Sequence, residues 1–119
     1  MTNQSRIKVS EQDGVSIVRF VDKKIVDSGS IEQLGDELNA LVLEDKRSNL
    51  LLNFEGVDFL SSAALNKLIS LNGHAKKISG RIKISNLREE IREVFKISKL
   101  DRWFDIRTTQ EDALAAFKL

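Results

Sequence analysis

Two adjacent serines, Ser61 and Ser62, offer the clearest chemistry in this sequence. They stand between an apolar segment that ends at Leu60 and a helical pattern that begins near Ala64. A serine in that position accepts a hydrogen bond from a free backbone N–H of the first helical turn, which stabilises the helix by about 1 kcal/mol. The same geometry exposes a hydroxyl where a phosphate would meet free N–H groups and the positive end of the helix dipole. The pair therefore has two compatible interpretations, as a helix cap and as a modification site.

Other polar residues do not complete a catalytic or metal-binding set. His74 is the only histidine and cysteine is absent, so we expect no metal site and no cofactor. His74 lies twelve residues beyond Ser62, over three helical turns away, which is too far for a nucleophile–base pair. Asp58 follows a predicted strand without an acidic cluster, and Ser28-Gly29-Ser30 matches neither Walker nor Rossmann spacing. These observations argue against a small hydrolase or transferase.

The bulk composition bounds the remaining classes of function. The 119 residues suffice for one ordinary domain, and we expect residues 1–119 to form a single domain. Lys and Arg number 19 and Asp and Glu number 18, so the whole chain has no net attraction to nucleic acid or anionic lipid. No apolar run approaches the ~20 residues of a membrane span, and the first residues do not resemble a signal peptide. We expect a cytoplasmic protein with no nucleic-acid partner and no membrane insertion.

The elements that must position the serines are predicted from the apolar periodicity. Leu50-Leu51-Leu52 is a continuous apolar run, typical of a central strand that is covered on both faces. The predicted order over the chain is β-β-α-β-α-β-α-β-α, in which Gln12-Asp13-Gly14 links the first two strands as a hairpin. Strands that alternate with helices imply parallel pairs joined by crossovers. The predicted fold is an α/β domain with one mixed β-sheet and its helices packed on the sheet.

Capping residues predict where the helices begin. Ser30 fits a capping box with the glutamine three residues later, and Asp27 offers a second cap for the same helix. Asn86 is predicted to cap the third helix, with Val94 on its inward face. Trp103 is predicted to open the last strand and to pack at the edge of the core. Its alternative role is that of an interface anchor.

This order of elements, with several specific stretches, resembles the STAS family, which includes bacterial anti-sigma factor antagonists and the cytosolic domains of sulfate transporters. The strongest segment runs from Leu50 to Leu65, and it is similar to the family's apolar strand and its hydrophobic-Asp-Ser-Ser/Thr-Gly-Leu turn. Val26-Asp27 resembles the family motif before the first helix. Ile84–Leu87 and Ser98–Leu100 resemble the start and exit of its third helix. The resemblance covers nearly the whole chain and implies a STAS-like fold.

The resemblance also implies a regulatory protein-binding module. In the family, the unphosphorylated domain binds an anti-sigma factor of the histidine-kinase-like ATPase fold, and this serine kinase ends the binding by phosphorylating a serine. That serine matches Ser62, with Ser61 as the alternate. The implied partner-binding face includes the loop before the first helix, the serine turn and the exposed side of the second helix: Asp27, Ser61, Ser62, Asn66, Lys67 and Ser70.

Four positions depart from the family pattern. Ser61 stands where the family has an acidic residue, and Ala63 and Ala64 occupy the two positions after the serine, the second of which is glycine in the family. Lys24 or a neighbour replaces the glycine of the earlier motif. The departures at Ser61 and Ala63 favour an alternative, a scaffold subunit of the stressosome or lipid-transport type that is never phosphorylated.

Overall fold

A computed structural model describes residues 4–118 as strands and helices in alternation. The strands are Ile7–Gln12 (β1), Val15–Phe20 (β2), Lys24–Ile25 (β3), Asn49–Asn53 (β4), Phe59–Leu60 (β5), Arg81–Ser85 (β6) and Asp105–Arg107 (β7). The helices are Ser28–Leu43 (α1), Ser62–Lys77 (α2), Glu89–Ile97 (α3) and Gln110–Ala116 (α4), with a 3-10 turn at Leu100–Arg102.

The main sheet is mixed and has β4 at its centre, as the apolar run predicts. Its strand order is β1-β2-β4-β6-β7, with β1 antiparallel to β2 and the other neighbours parallel. Leu50 and Leu52 belong to the larger core with residues of α1, α2 and α3, whereas Leu51 packs with Ala113 and Leu114 of α4 on the opposite face. All three leucines are completely buried. The predicted α/β fold with one mixed main sheet is therefore confirmed.

A row of phenylalanines crosses the larger core and ties α3 to the sheet. The Phe54 ring lies 4.5 Å from Phe20 and 6.4 Å from Phe95, measured between ring centroids. Phe95 in turn lies 6.3 Å from Phe104 in an edge-to-face arrangement. Such aromatic pairs contribute about 0.5–1.5 kcal/mol each beyond the area that they bury. The row holds α3 in place although this helix has only nine residues.

Two of the predicted helix caps are wrong. Asp27, not Ser30, caps α1: its carboxylate accepts a hydrogen bond from the Ser30 N–H at 3.0 Å, and Ser30 lies inside the helix. Arg88 precedes the first residue of α3, and Asn86 lies in the left-handed region with φ of 60°. Asparagine tolerates this conformation better than most residues, so Asn86 shapes the turn after β6 instead of capping a helix.

The third helix and the segment after it also differ from the prediction. Lys99 adopts a φ of 61° and turns the chain into the 3-10 turn, so β7 begins only at Asp105. Trp103 is thereby carried outward and is 56% exposed, which contradicts its predicted packing at the edge of the core. Val94 is also exposed, because the buried stripe of α3 is limited to Ile91 and Phe95, one turn apart.

An ion pair between the last two strands lies on the sheet face that α4 covers. Lys83 Nζ on β6 is 2.7 Å from Asp105 Oδ2 on β7, and the Lys83 residue is only 9% exposed. Arg107 donates to the same carboxylate from Nε at 2.7 Å. The Arg107 hydrogen bond, with a further contribution from Lys83, lowers the pKa of Asp105 from its ordinary value. A carboxyl with a depressed pKa in the folded state contributes stability above its ordinary pKa and loses it as the pH falls through the folded value.

Asp105→Asn should therefore lower the free energy of unfolding at pH 7 by roughly 1–3 kcal/mol, because Lys83 would lose its anion while remaining buried. The difference between wild type and variant should shrink as the pH falls below the ordinary Asp value of 3.8. Urea titrations at several pH values would measure both effects. Asp13→Asn, which changes an exposed aspartate 4.0 Å from Lys118, is the control and should change little. A stability difference for Asp105→Asn that does not depend on pH would contradict the assignment.

Ala64→Gly should lower the free energy of unfolding by roughly 1–2 kcal/mol, since glycine disfavours helix and the buried methyl of Ala64 is lost. Ala64 is 1% exposed in the first turn of α2. Ala63→Gly is the matched control, because Ala63 is exposed and its variant loses helix propensity alone. Urea unfolding of both variants would give the comparison. An Ala64→Gly protein as stable as wild type would show that this position suits glycine.

Candidate functional site

A short parallel strand pair, β3–β5, forms the rim of the candidate site. Ile25 of β3 pairs with Leu60 of β5, and the Ser61 N–H donates to the Ile25 carbonyl at 3.1 Å. Because β3 leads into α1 and β5 leads into α2, this pairing sets the two helix N-termini side by side. Asp27 before α1 and the Ser61–Ser62 turn at α2 thus lie at one edge of the molecule, as the predicted partner-binding face requires.

The two serines have different local roles. Ser61 is the N-cap of α2, with φ −77° and ψ 165°, and its hydroxyl accepts from the Ala64 N–H at 3.3 Å. Ser62 is the first residue of the helix, and its side chain is exposed. Its hydroxyl takes part in no hydrogen bond within residues 4–118. Capping therefore belongs to Ser61 alone, and Ser62 is accessible for other chemistry.

The start of α2 is suited to a negative charge. The backbone N–H groups of Ser62 and Ala63 precede the first intrahelical bond, which leaves them without acceptors inside the helix. No acidic residue occurs anywhere in the sixteen residues of α2. A phosphate on the first residue would meet these N–H groups and the positive end of the dipole, an interaction of about 0.3–1 kcal/mol.

Asp27 supplies a fixed negative charge on the same rim. Its carboxylate accepts the Ser30 N–H at 3.0 Å, and this hydrogen bond, together with one from the Ser30 side chain, lowers the pKa of Asp27. The residue is exposed. The rim therefore presents a carboxylate beside the neutral hydroxyl of Ser62.

The remaining predicted site residues follow along α2, but one of them is engaged within the chain. Asn66 and Ser70 are exposed. Lys67 Nζ is 3.1 Å from Glu32 Oε1 of α1, and a Cβ at Gly35 would lie only 2.7 Å from Lys67 Cδ. The missing side chain at Gly35 thus makes room for the Lys67 stem to cross α1. Lys67 connects the two helices as well as lying within the predicted face.

Two exposed apolar side chains beside the rim were missed in the sequence. Phe59 of β5 is 53% exposed, and Val26, next to Asp27, is 48% exposed. Phe59 also lines a small cavity of about 110 Å³ between β5 and α3, with Leu60, Ile91 and neighbouring residues. Alternation places Leu60 inward and Phe59 outward, but a two-residue strand is too short for that pattern to be recognised.

Asp58 is engaged in an ion pair at the base of α3. Arg88 Nη1 is 2.7 Å from Asp58 Oδ1, and Arg88 Nη2 is 3.2 Å from Glu90 Oε2. This arrangement fixes the start of α3 next to β5. Asp58 is thus an ion-pair partner in the wall of the small cavity.

His74 lies at the far end of α2 from Ser62. Its Nε2 is 3.5 Å from Ser70 Oγ, the outer limit of a hydrogen bond. Within residues 4–118, no three His, Cys, Asp or Glu side chains converge as a metal site would require. None of the helices in this part of the chain is long and apolar enough to cross a membrane. A cavity of about 530 Å³ lies between α3 and β7, on the side of α3 that faces away from β5.

Comparison with known proteins supports one family throughout. Residues 6–113 match the family model described as the STAS domain. BtrV of Bordetella bronchiseptica, named as an anti-sigma factor antagonist, is 33% identical over 113 residues, 95% of each chain. The solved structure of an anti-sigma factor antagonist from Mycobacterium paratuberculosis is 26% identical, with a TM-score of 0.82 over 95% of this chain and 93% of that one.

A second solved structure shares the fold at lower identity. The Bacillus cell fate determinant SpoIIAA, solved in its phosphorylated form, is 19% identical, with a TM-score of 0.71 over 93% of this chain and 98% of that one. The sheet order, the two adjacent helix N-termini and a family match over residues 6–113 agree with one another. The chain belongs to the STAS domain family.

Proposed function

We propose that this chain is an anti-sigma factor antagonist, a regulator that acts by binding another protein and not by catalysis. The observation that carries the proposal is the exposed Ser62 hydroxyl at the start of α2, directly beside the Asp27 loop. The name of BtrV, which matches 95% of the chain, supports the same function. Its partner is an anti-sigma factor, and since such factors act on transcription, we place the chain in the cytoplasm by the same proposal.

The proposed binding surface consists mainly of uncharged side chains. Ser62, Asn66 and Ser70 present short polar groups along α2. Asp27 offers a carboxylate at one end, which suits a hydrogen-bond donor or a cation of the partner. Phe59 and Val26 add apolar area beside these polar groups, which a bound partner would remove from water.

Phosphorylation of Ser62 is the proposed switch, and the proposed kinase is the partner itself, with a histidine-kinase-like ATPase fold. The modification adds about −1.5 to −2 charges. The chain tolerates this charge because the N-terminus of α2 favours an anion. The cost falls on the complex, in which the phosphate would be desolvated against a surface shaped for a neutral hydroxyl. Phosphorylation therefore releases the partner without unfolding the domain.

The presence of serine at position 61 favours a second candidate function, that of a scaffold subunit that is never phosphorylated. Ser61 occupies the position of the family's acidic residue, and its hydroxyl is engaged with the Ala64 N–H. A carboxylate at this position would help to orient the neighbouring hydroxyl or the magnesium of a kinase, whereas a serine that caps the helix does neither. The rate of phosphorylation decides between the two candidates.

Ser62→Asp should fold normally and bind the anti-sigma factor at least about tenfold more weakly than wild type, because it carries an anion into the interface. Ser62→Ala should bind as wild type does and should gain no phosphate. Isothermal titration calorimetry would measure the affinities, and intact-mass spectrometry after incubation with the kinase and ATP would detect the modification. Circular dichroism of each variant controls for folding.

Ser61→Ala distinguishes the two serines in the same mass assay. A phosphate that persists in Ser62→Ala and disappears in Ser61→Ala would move the site by one residue. Wild-type protein that binds the partner and never gains a phosphate would instead support the scaffold. Wild-type protein that does not bind an anti-sigma factor would overturn the proposed function.

Phe59→Ala should weaken partner binding about tenfold without a comparable loss of stability, because the side chain is half exposed and contributes apolar area to the rim. Ile97→Ala is the matched control: it also removes an exposed apolar side chain, at the other end of α3. Calorimetric titration of both variants with the same partner gives the comparison. Equal effects of the two substitutions would contradict a binding role specific to Phe59.

A further inference from the structure

Two large apolar side chains protrude from the end of the molecule opposite Ser62. Ile97 at the end of α3 is 76% exposed, and Trp103 after the 3-10 turn is 56% exposed. They are the two most exposed of the large apolar side chains in residues 4–118.

Positive charges are concentrated in the two chain segments next to these side chains. The last turn of α2 and residues 96–103 carry five cations and one acid: Lys76, Lys77, Lys96, Lys99, Arg102 and Asp101. Lys76 Nζ lies 6.0 Å from the centroid of the Trp103 ring, which connects the two segments in space. We call Lys76, Lys77, Lys96, Ile97, Lys99, Arg102 and Trp103 the basic–aromatic end. Its local charge is +3 when Asp101 and Glu93, which line one cavity with Lys96, are both counted, and the charge of +1 for the whole chain conceals this local excess.

The rest of the molecule carries the compensating negative charge. Helix α1 contains Glu32, Asp36 and Glu37 and neither lysine nor arginine. An anionic surface would therefore attract the basic–aromatic end and repel α1. This charge separation would orient the domain as well as bind it.

We propose that the basic–aromatic end docks on the surface of anionic phospholipid bilayers, without insertion of any helix. Each lysine or arginine near an anionic membrane contributes about 1 kcal/mol, and tryptophan favours the level of the headgroups. A folded partner would have to supply pockets for Ile97 and Trp103, whereas a deformable lipid surface accepts protruding side chains directly. The basic–aromatic end has four lysines and one arginine. Flexible lysine side chains are better suited to non-specific attraction to anionic headgroups than to hydrogen bonds of fixed geometry with a protein.

Docking at this end would leave the candidate partner site free. Helix α2 has sixteen residues, so its two ends are about 24 Å apart. Ser62 at the first residue would face away from a membrane that contacts Lys76 and Lys77. Membrane docking thus does not depend on the proposed function, and the two are tested separately.

The chain contains a single tryptophan, which reports directly on the proposed contact. Wild-type protein should co-sediment with vesicles of phosphatidylcholine mixed with phosphatidylglycerol and should not do so with phosphatidylcholine alone. The Trp103 emission should shift to the blue as the ring enters the headgroup region. Binding should disappear between about 0.1 M and 1 M salt, as the screening length falls from about 10 Å to about 3 Å.

Matched charge variants locate the contact. Lys76→Gln combined with Lys77→Gln should lower the partition coefficient by about fivefold for each lysine removed. Lys23→Gln combined with Lys24→Gln removes the same charge from an exposed pair near β3 and should change binding little. Ile97→Ser keeps the fluorescent reporter and should weaken binding, and circular dichroism checks that each variant folds.

Three results would overturn the proposal. The first is no binding to phosphatidylglycerol vesicles at low salt, and the second is binding without a shift of the Trp103 emission. The third is an equal loss in the two lysine pairs, which would indicate attraction without a defined face. Binding of the basic–aromatic end to polyglutamate but not to vesicles would assign it to an acidic protein and would also overturn the proposal.

Discussion

The hydrogen bond from the Ser61 N–H to the Ile25 carbonyl is the contact on which the candidate site depends. It continues the β3–β5 pair beyond Leu60 and holds the start of α2 against the segment that leads into α1. Without this contact, Asp27 and Ser62 would belong to two separate loops. The main sheet places β2 and β4 next to each other, and the short pair, together with the packing of α1 against α2, fixes the relative position of the two helix N-termini. A backbone contact therefore determines which side chains share one surface.

Burial explains how much of the fold the sequence predicts. A run such as Leu50-Leu51-Leu52 is apolar on both faces, and only a central strand buries both. The order of the major elements follows from the same argument. The pair β3–β5 was missed because two residues show no period. Asn86 and Trp103 were misplaced because their positions depend on left-handed residues, Asn86 itself and Lys99, which a general helix or strand pattern does not indicate.

The sequence predicts which residues share the candidate site better than it predicts what each residue does there. Asp27, Ser61 and Ser62 lie on one rim, but the sequence pattern does not indicate which of the two serines caps the helix. Their difference is conformational. Ser61 has extended dihedral angles, and its hydroxyl accepts a hydrogen bond from the Ala64 N–H, whereas Ser62 is the first helical residue. Because Ser61 caps the helix, the hydroxyl of Ser62 is not needed as a cap. Modification of Ser62 would consequently leave the cap of α2 intact.

The distribution of charged residues on the surface does not follow from the burial pattern that predicts the fold. Apolar periodicity constrains the inward faces of α1 and α2 and leaves their outward faces unspecified. Those faces differ sharply here, since α1 carries three acids and no base, whereas α2 carries three lysines and no acid. Lys67 joins the two helices through Glu32, so part of this difference contributes to packing. Lys76 and Lys77, at the far end of α2, have no acid of α1 as a partner within residues 4–118. Both lysines lie in the last turn of α2, where cations interact favourably with the helix dipole. The proposed docking on an anionic surface would use the same charges.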